Sequence, residues 1–160
     1  MDKPKVTIAI PAYNQAKYIK QTIDSALNQD YPNLEVIVSD DASLDDTRQI
    51  VKEYNDKRLK YYRNEKNIGR VANHRKLLYE YATGEYVLNL DGDDYLIATD
   101  AISFMVNQIN FYHKQECANI VMVMALAETV FDDSKITYKR KEETCINGFY
   151  VFLNWNKIPY

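Results

Sequence analysis

The chain has 160 residues, of which 46% are apolar and 27% charged, and it contains only 4 glycines and 4 prolines. This composition is typical of one soluble globular domain and excludes a disordered or collagen-like chain. The net charge of -3 disfavours a general nucleic-acid-binding protein. The two cysteines, Cys117 and Cys145, provide no disulfide or metal framework, which indicates a reducing, cytoplasmic compartment. The apolar run after the first residues is too short for a signal peptide or a membrane span.

The spacing of apolar residues along the chain distinguishes the predicted strands from the predicted helices. Short β-branched runs predict strands, in chain order, at residues 6–10, 34–39, 59–63 and 85–90. Helical spacing between and after them predicts helices at residues 14–29, from Ser43 or Asp45 to about residue 55, at 71–81, and from 98–100 onward. The last of these would bury Ile102, Met105, Val106, Ile109 and Tyr112. Residues 119–130 then predict a buried strand, with a helix as the alternative, and residues 136–138 would pair beyond a turn at 132–134.

Individual residues indicate where these elements begin and end. Pro11 has no N–H for a ladder hydrogen bond, so we expect it to end the first strand. Asn14, Ser43 and Thr99 are typical helix N-caps, and Gly84 is a typical helix C-cap.

The alternation of strands and helices predicts an α/β fold, with a mostly parallel central sheet and helices on both faces. Right-handed crossovers place the carboxyl ends of such strands along one edge, where ligands bind. Three polar clusters follow predicted strands, at residues 11–14, 40–41 and 91–94. We therefore expect these clusters to converge.

Several carboxylates at one sheet edge repel one another unless a cation or a donor-rich ligand relieves them. Mg²⁺ or Mn²⁺ suits such a site, because these ions prefer oxygen ligands and accept one or two carboxylates together with substrate phosphates. Asp91 and Asp93 flank Gly92, so a turn there could aim both carboxylates at one ion. The alternative interpretation is a solvated turn, which Asp and Gly also favour.

Other phosphate- and metal-binding motifs are missing. The chain has neither Gly-x-Gly-x-x-Gly after its first strand nor a P-loop. An EF-hand loop is excluded because Tyr95 and Leu96 occupy the fifth and sixth positions. We therefore expect phosphate to be held through a metal ion rather than by a glycine-rich backbone cradle.

An ordered set of motifs resembles the inverting nucleotide-sugar glycosyltransferases of family 2. The motifs lie at residues 6–14, 35–47, 67–69, 83–86 and 90–94. The resemblance implies a GT-A (Rossmann-like) nucleotide-diphospho-sugar transferase fold. It also implies inverting, metal-dependent transfer of a sugar from a nucleoside diphosphate sugar, expected to be a UDP-sugar, in polysaccharide biosynthesis. A glycan or lipid-linked acceptor would bring the protein to the inner face of the membrane as a peripheral protein.

The resemblance also implies roles for individual residues. Residues 11–14 would line the base pocket, and Asp41 would accept a hydrogen bond from the uracil ring. Arg70 would contact phosphate, Asp91 would lie near the ribose, and Asp93 would bind Mn²⁺ or Mg²⁺. The implied substrate-binding set is Pro11, Ala12, Tyr13, Asn14, Asp41, Asn67, Gly69, Arg70, Asp91 and Gly92, and the implied metal ligands are Asp93 and Asp91.

The chain departs from the family pattern in two places. Asn73, His74 and Arg75 stand where many members have Ala-Arg-Asn. The family's catalytic Asp, the general base, has no convincing match, and Asp132 and Asp133 are better explained by a turn. The catalytic residue is therefore unknown. The resemblance divides the chain into a nucleotide-sugar-binding part, residues 1–100, and the start of an acceptor-side region, residues 101–160, of a domain that we expect to be truncated.

Two further functions compete with the transferase. A non-catalytic or truncated nucleotide-sugar-binding module would explain the missing base. An Asp-dependent phosphoryl-transfer or receiver protein is less favoured, because no Thr or Val follows Asp94 and no partner lysine follows downstream. The sequence leaves the donor sugar, the acceptor and the oligomeric state open.

Overall fold

A computed structural model of the chain describes residues 3–114, 128–131 and 134–137. Its central sheet has four strands, β1 (Val6–Ala12), β2 (Leu34–Asp40), β3 (Leu59–Arg63) and β4 (Tyr86–Asn89). The strand order is β3-β2-β1-β4, and all neighbours run parallel. The predicted parallel sheet is confirmed, and the bounds of β3 match the prediction.

Within the described part of the chain, four α-helices connect and follow these strands. They are α1 (Ile19–Leu27), α2 (Thr47–Lys52), α3 (Arg70–Lys76) and α4 (Ala101–Lys114). A π-helical stretch, Leu77–Tyr81, continues α3. The short strands β5 (Glu128–Phe131) and β6 (Ser134–Thr137) form an antiparallel pair, which confirms the expected pairing of this region. Several predicted features lie outside the described residues: the rest of the run at 119–130, the predicted turn at Asp132 and Asp133, and both cysteines.

The sheet is buried on both faces. On one face Ile8, Ile10, Val36 and Val38 pack with apolar residues of α1, α2 and α4. On the other face Ala9, Ile37 and Val87 pack with Leu77 of the π-helical stretch. Each fully buried isoleucine contributes on the order of 2 kcal/mol to folding. The predicted placement of helices on both faces is therefore confirmed.

The apolar side of α4 matches the predicted one. Ile102, Met105, Val106 and Ile109 are all buried, and the side chain of Tyr112 lies outside the described set. The helix begins at Ala101, after Thr99, whose carbonyl accepts a hydrogen bond from the Asp30 N–H at 2.9 Å. No helix among the described residues is long and apolar enough to cross a membrane.

The prediction that Pro11 ends β1 is wrong. The strand continues to Ala12, and Pro11 lies opposite Ser39 of β2. The Ala12 carbonyl accepts from the Asp41 N–H on the β2 side, whereas the Ala9 carbonyl accepts from the Leu90 N–H on the β4 side. Because backbone groups alternate along a strand, Pro11 faces the β4 side, where β4 has already ended at Asn89 and no donor is needed.

The prediction that Asn14 caps α1 is also wrong. Asn14 has a left-handed φ of 54°, and α1 begins only at Ile19. Its N–H donates to Ser43 Oγ at 2.9 Å, and its Oδ1 accepts from the Leu44 N–H at 2.8 Å. Asn14 therefore joins the β1–α1 loop to the β2–α2 loop, because its amide side chain tolerates this conformation and bonds to backbone.

Two other predicted caps have different roles. Helix α2 begins at Thr47, and Asp45 bonds the Thr47 N–H at 3.0 Å without standing at the N-cap position, which Asp46 occupies. Gly84 lies past the helix, where a Cβ atom would stand 2.6 Å from the Thr7 backbone nitrogen. Glycine is required there because the chain passes directly over β1, not because a helix ends in a left-handed conformation.

Candidate functional site

An open cleft of about 360 Å³ lies at the carboxyl edge of the sheet. It contains every predicted substrate- and metal-binding residue except Asn14, together with Gln15 and Asn73. The lining consists of Pro11, Ala12, Tyr13, Gln15, Asp41, Asn67, Gly69, Arg70, Asn73, Asp91, Gly92 and Asp93. The expected convergence of the three polar clusters is therefore observed.

The register of the strands explains this convergence. Ala12 pairs with Asp40, so the residues that follow β1 and β2 leave the sheet side by side. On the other side Ala9 pairs with Asn89, which brings the turn after β4 next to Pro11. A Cβ on Gly92 would lie 3.1 Å from the Pro11 carbonyl oxygen, so glycine allows a close approach there.

Asp41 is fixed at the floor of the cleft, where it is only 2% exposed. Its Oδ1 accepts hydrogen bonds from Asn64 Nδ2 and the Ile68 N–H, both at 2.9 Å. Its Oδ2 accepts one hydrogen bond, at 2.8 Å, from the N–H of Gly69. A carboxylate oxygen accepts about two hydrogen bonds, so Oδ2 keeps capacity for one more donor. Asp41 thus holds the loop at residues 67–69 in place.

A buried network of amide side chains supports Asp41 from below. Asn73 Oδ1 accepts from Ser39 Oγ at 2.7 Å and from Asn64 Nδ2 at 2.9 Å. Asn73 Nδ2 donates to the Ser39 carbonyl at 2.8 Å, and Lys76 Nζ donates to Asn64 Oδ1 at 2.9 Å. Sequence reasoning missed this network. The available signal was an asparagine one helical turn before buried Leu77, on the inward side of α3.

Asp40 differs from its neighbour Asp41 and does not line the cleft. It is fully buried, and its Oδ1 accepts from the Ser43 N–H at 2.8 Å. Its Oδ2 accepts from the Tyr61 hydroxyl and lies 3.3 Å from Arg63 Nε. Burial and the hydrogen bond to Asp40 raise the pKa of the Tyr61 hydroxyl above its usual range. The expectation that both aspartates meet at the site is thus wrong for Asp40, whose charge Arg63 balances and whose Oδ2 accepts a hydrogen bond from Tyr61.

The turn at residues 91–94 places three carboxylates next to one another. It is closed by a 2.9 Å hydrogen bond from the Asp94 N–H to the Asp91 carbonyl. Burial, together with the charges of Asp93 and Asp91, raises the pKa of the Asp94 carboxyl. Among residues 3–111, no lysine, arginine or histidine forms an ion pair with these three groups. The negative charge of the turn is left without a protein counter-charge in this part of the chain.

The oxygen donors of this turn fit a hard divalent cation. The described residues contain no group of three or more His, Cys, Asp or Glu side chains that is arranged to hold a metal ion. Mg²⁺ does not require one, because it commonly takes one or two carboxylates and completes its shell with water and substrate phosphates. Asp91 and Asp93 line the cleft and supply such donors.

Cationic and aromatic side chains border the same cleft. Tyr13 is 43% exposed at its rim, and exposed Arg70 follows Gly69, which has a left-handed φ of 87°. A second open cleft of about 290 Å³ shares Arg70 and Asp91 with the first and also contacts His74 and Arg75. The guanidinium-bearing Arg70 and the carboxylates of Asp91 and Asp93 thus line the same cleft.

Comparison with protein families gives the assignment. Residues 7–144 match the family model described as Glycosyl transferase family 2. The chain belongs to this family. Its four-stranded parallel sheet is the Rossmann-like core of the GT-A fold of family 2, as the motifs predict. Family membership leaves two of the three predicted functions, the transferase and the nucleotide-sugar-binding module.

Three similar proteins illustrate the family. WfgD of Escherichia coli, a UDP-Glc:alpha-D-GlcNAc-diphosphoundecaprenol beta-1,3-glucosyltransferase, is 36% identical over 149 residues, 91% of this chain and 58% of WfgD. Crystalline Staphylococcus aureus TarS in complex with UDP has a TM-score of 0.63 at 37% identity, over 68% of this chain and 33% of that chain. Mannosyltransferase PcManGT from Pyrobaculum calidifontis, in complex with GDP-Man and Mn²⁺, has a TM-score of 0.58 at 29% identity. The match covers 76% of this chain and 34% of the PcManGT chain. The family 2 chain therefore spans less than two thirds of each relative.

Proposed function

We propose that this chain is the donor-binding part of a glycosyltransferase that transfers a sugar, with inversion, from a UDP-sugar to a glycan or lipid-linked acceptor. One observation carries the proposal: a single cleft brings the buried carboxylate of Asp41 and the acidic turn of Asp91 and Asp93 to the same sheet edge. A nucleoside diphosphate has complementary groups at its two ends, an imide N–H and a charged diphosphate.

The base end of the cleft suits uracil. Asp41 Oδ2 has room for one further donor, which the imide N–H of uracil would provide. Pro11, Ala12 and Tyr13 supply the adjoining wall, and the exposed ring of Tyr13 is available for stacking. The similar TarS structure contains UDP, which supports uridine as the nucleoside.

The other end of the cleft suits a diphosphate. The guanidinium of Arg70 would contact phosphate oxygens, and Asp91 and Asp93 would hold Mn²⁺ or Mg²⁺ beside them. The ion would neutralise the charge that develops on the leaving diphosphate. The similar PcManGT structure contains Mn²⁺ with its nucleotide sugar, which supports this assignment.

Inverting transfer also requires a base that removes the proton of the acceptor hydroxyl as the sugar bond breaks. The carboxylates that line the cleft are Asp41, Asp91 and Asp93, and all three have donor-side roles in this proposal. We therefore assign residues 1–100 to donor binding and place the base in the acceptor-side region.

The names of two relatives support the proposed acceptor class. WfgD acts on a diphosphoundecaprenol-linked sugar, and TarS is a poly(ribitol-phosphate) beta-N-acetylglucosaminyltransferase. A lipid-linked acceptor would place the enzyme at the cytoplasmic face of a membrane, in polysaccharide biosynthesis.

Calorimetric titration with UDP, in the presence and absence of Mn²⁺, tests the proposal. We expect Mn²⁺ to strengthen UDP binding, Asp93→Asn to abolish that gain, and Asp41→Asn to weaken binding with or without Mn²⁺. Asp46→Asn is the matched control, because Asp46 is exposed and its side chain does not cap α2. Absence of UDP binding to the wild-type chain would refute the proposal.

A second measurement separates the transferase from the binding module. The chain is incubated with UDP-glucose or UDP-N-acetylglucosamine and Mn²⁺, and the UDP released is quantified. UDP release that Asp93→Asn abolishes indicates a catalytic chain, whereas binding without release indicates a module that holds the donor only.

A further inference from the structure

A row of polar side chains along α1 and just past its end faces the segment that carries the acidic turn. Thr22 and Ser25 are three residues apart on the same side of α1, and Gln29 follows four residues later, just past the end of the helix at Leu27. Thr22 and Gln29 are buried, and Ser25 is half-buried. Helices usually turn apolar side chains toward the core, so this row requires polar partners.

The partners are backbone groups in the segment at residues 92–102. Thr22 Oγ1 donates to the Gly92 carbonyl at 3.0 Å, and Ser25 Oγ accepts from the Leu96 N–H at 3.0 Å. Gln29 Nε2 donates to the Ala98 carbonyl at 2.8 Å, and its Oε1 accepts from the Ile102 N–H at 3.2 Å. The row thus binds four successive points between β4 and the first turn of α4.

The hydrogen bond from Thr22 to Gly92 is the contact nearest to the proposed metal ligands. Gly92 lies between Asp91 and Asp93, and its carbonyl is fixed by the buried hydroxyl of Thr22. On the opposite side, a Cβ on Gly92 would lie 3.1 Å from both the Pro11 carbonyl oxygen and Gln15 Cγ. The peptide between the two aspartates is therefore held between β1 and α1, and its orientation sets where both carboxylates point.

We propose that Thr22 is a positioning residue that presents Asp91 and Asp93 to the divalent cation and diphosphate, with Ser25 and Gln29 fixing the segment behind them. This inference rests on the proposed function of the cleft. It assigns the geometry of the acidic turn to a helix that contributes no residue to the cleft lining.

The test compares Thr22→Val, which keeps the shape of the side chain and removes its donor, with Thr22→Ser, which keeps the donor. Gln21→Ala is the control, because Gln21 is exposed on the same helix. Dissociation constants are measured for UDP in Mn²⁺ and for uridine, which carries no phosphate. Thr22→Val should weaken UDP binding about tenfold and leave uridine binding within about twofold, and Thr22→Ser should behave as wild type.

Amide hydrogen exchange provides a readout that requires no ligand. The Asp94 N–H is hydrogen-bonded within the acidic turn, so Thr22→Val should accelerate its exchange and Thr22→Ser should not. Unchanged exchange, or equal losses of UDP and uridine binding, would overturn the inference. If the wild-type chain binds no UDP, the proposed function fails, whereas exchange at Asp94 still decides whether Thr22 positions the turn.

Ser25→Ala is a second variant for the case in which Thr22→Val does not fold. It removes the oxygen that accepts the hydrogen bond from the Leu96 N–H and leaves a smaller side chain than serine. Exchange at Leu96 should accelerate, and UDP affinity in Mn²⁺ should fall more than uridine affinity. No change in either quantity would show that the row does not hold the turn.

Discussion

Glu35 is a buried carboxylate whose removal should change the acid stability of the protein in a defined way. It lies on β2, opposite Thr7 of β1, and is 3% exposed. Its oxygens accept from Lys5 Nζ at 2.7 Å, Lys60 Nζ at 2.9 Å, and Thr83 N–H at 2.8 Å. Burial alone would raise its pKa. Hydrogen bonds from Lys5, Thr7, Lys60 and the Thr83 backbone outweigh burial and lower the pKa from 4.5 to about 2.

The magnitude follows from the pKa difference between the unfolded and folded states. A depressed pKa means that the carboxylate stabilises the fold above pH 4.5 and that this contribution is lost as the pH falls toward about 2. At 1.36 kcal/mol per pKa unit, the contribution is about 3 kcal/mol at neutral pH and about 1.5 kcal/mol at pH 3. The side chains of Lys5 and Lys60 are 36% and 41% exposed, so water can solvate them when Glu35 is removed, and the loss should stay near 3 kcal/mol.

Urea denaturation of wild type and Glu35→Gln between pH 7 and pH 3 measures this difference. We expect the variant to be about 3 kcal/mol less stable at pH 7, with the gap narrowing by about half at pH 3. Other acids, including Asp56 with its pKa lowered to about 2 by Arg58, titrate equally in both proteins and cancel. A gap that stays constant over this range would refute the reasoning. Glu35→Gln should still bind UDP at pH 7, because Asp41 lies six residues beyond Glu35, or about 20 Å along the extended chain.

Four further substitutions have expected outcomes. Gly84→Ala should lower the free energy of unfolding by about 3 kcal/mol, because the added Cβ would lie 2.6 Å from the Thr7 backbone nitrogen. Gly69→Ala should lower it by only about 1 kcal/mol, because its cost is that of the left-handed φ alone. Thermal denaturation of the two variants measures this difference. Asn73→Ala should cost about 1–3 kcal/mol by leaving buried partners unsatisfied, and an unchanged melting temperature would contradict this. Arg70→Gln should weaken UDP binding about tenfold and leave uridine binding unchanged; equal weakening of both would place Arg70 against the base instead.

Periodicity and strand-end chemistry predicted the features of the fold that depend on local sequence. The apolar side of α4 at Ile102, Met105, Val106 and Ile109 repeats every three to four residues, so its burial could be read directly. The meeting of Tyr13, Asp41 and Asp91 also follows from local information, because each stands just past a strand of one parallel sheet.

The errors concern residues whose partners are distant in the sequence. Asparagine is a common N-cap residue, but the hydrogen bonds of Asn14 go to Ser43 and Leu44, on a different loop. Asp40 and Asp41 are adjacent and chemically identical, and their roles are separated by Tyr61 and Arg63 of β3, which contact Asp40. Such partners are set by tertiary packing, which no short window of sequence contains.

The connection between the two loops at the base end of the cleft affects how a nucleotide would be received. Besides the two bonds of Asn14, the Gln15 N–H donates to Thr47 Oγ1 at 2.8 Å and the Ala16 N–H to Asp45 Oδ2 at 2.9 Å. These hydrogen bonds order the two loops in the ligand-free protein. Nucleotide binding should therefore order few further backbone dihedrals, and association should be fast. Slow amide exchange at Asn14 and Leu44 in the ligand-free protein would demonstrate this, and rapid exchange would contradict it. The same connection should make the loops intolerant of inserted residues, although they lie at the surface.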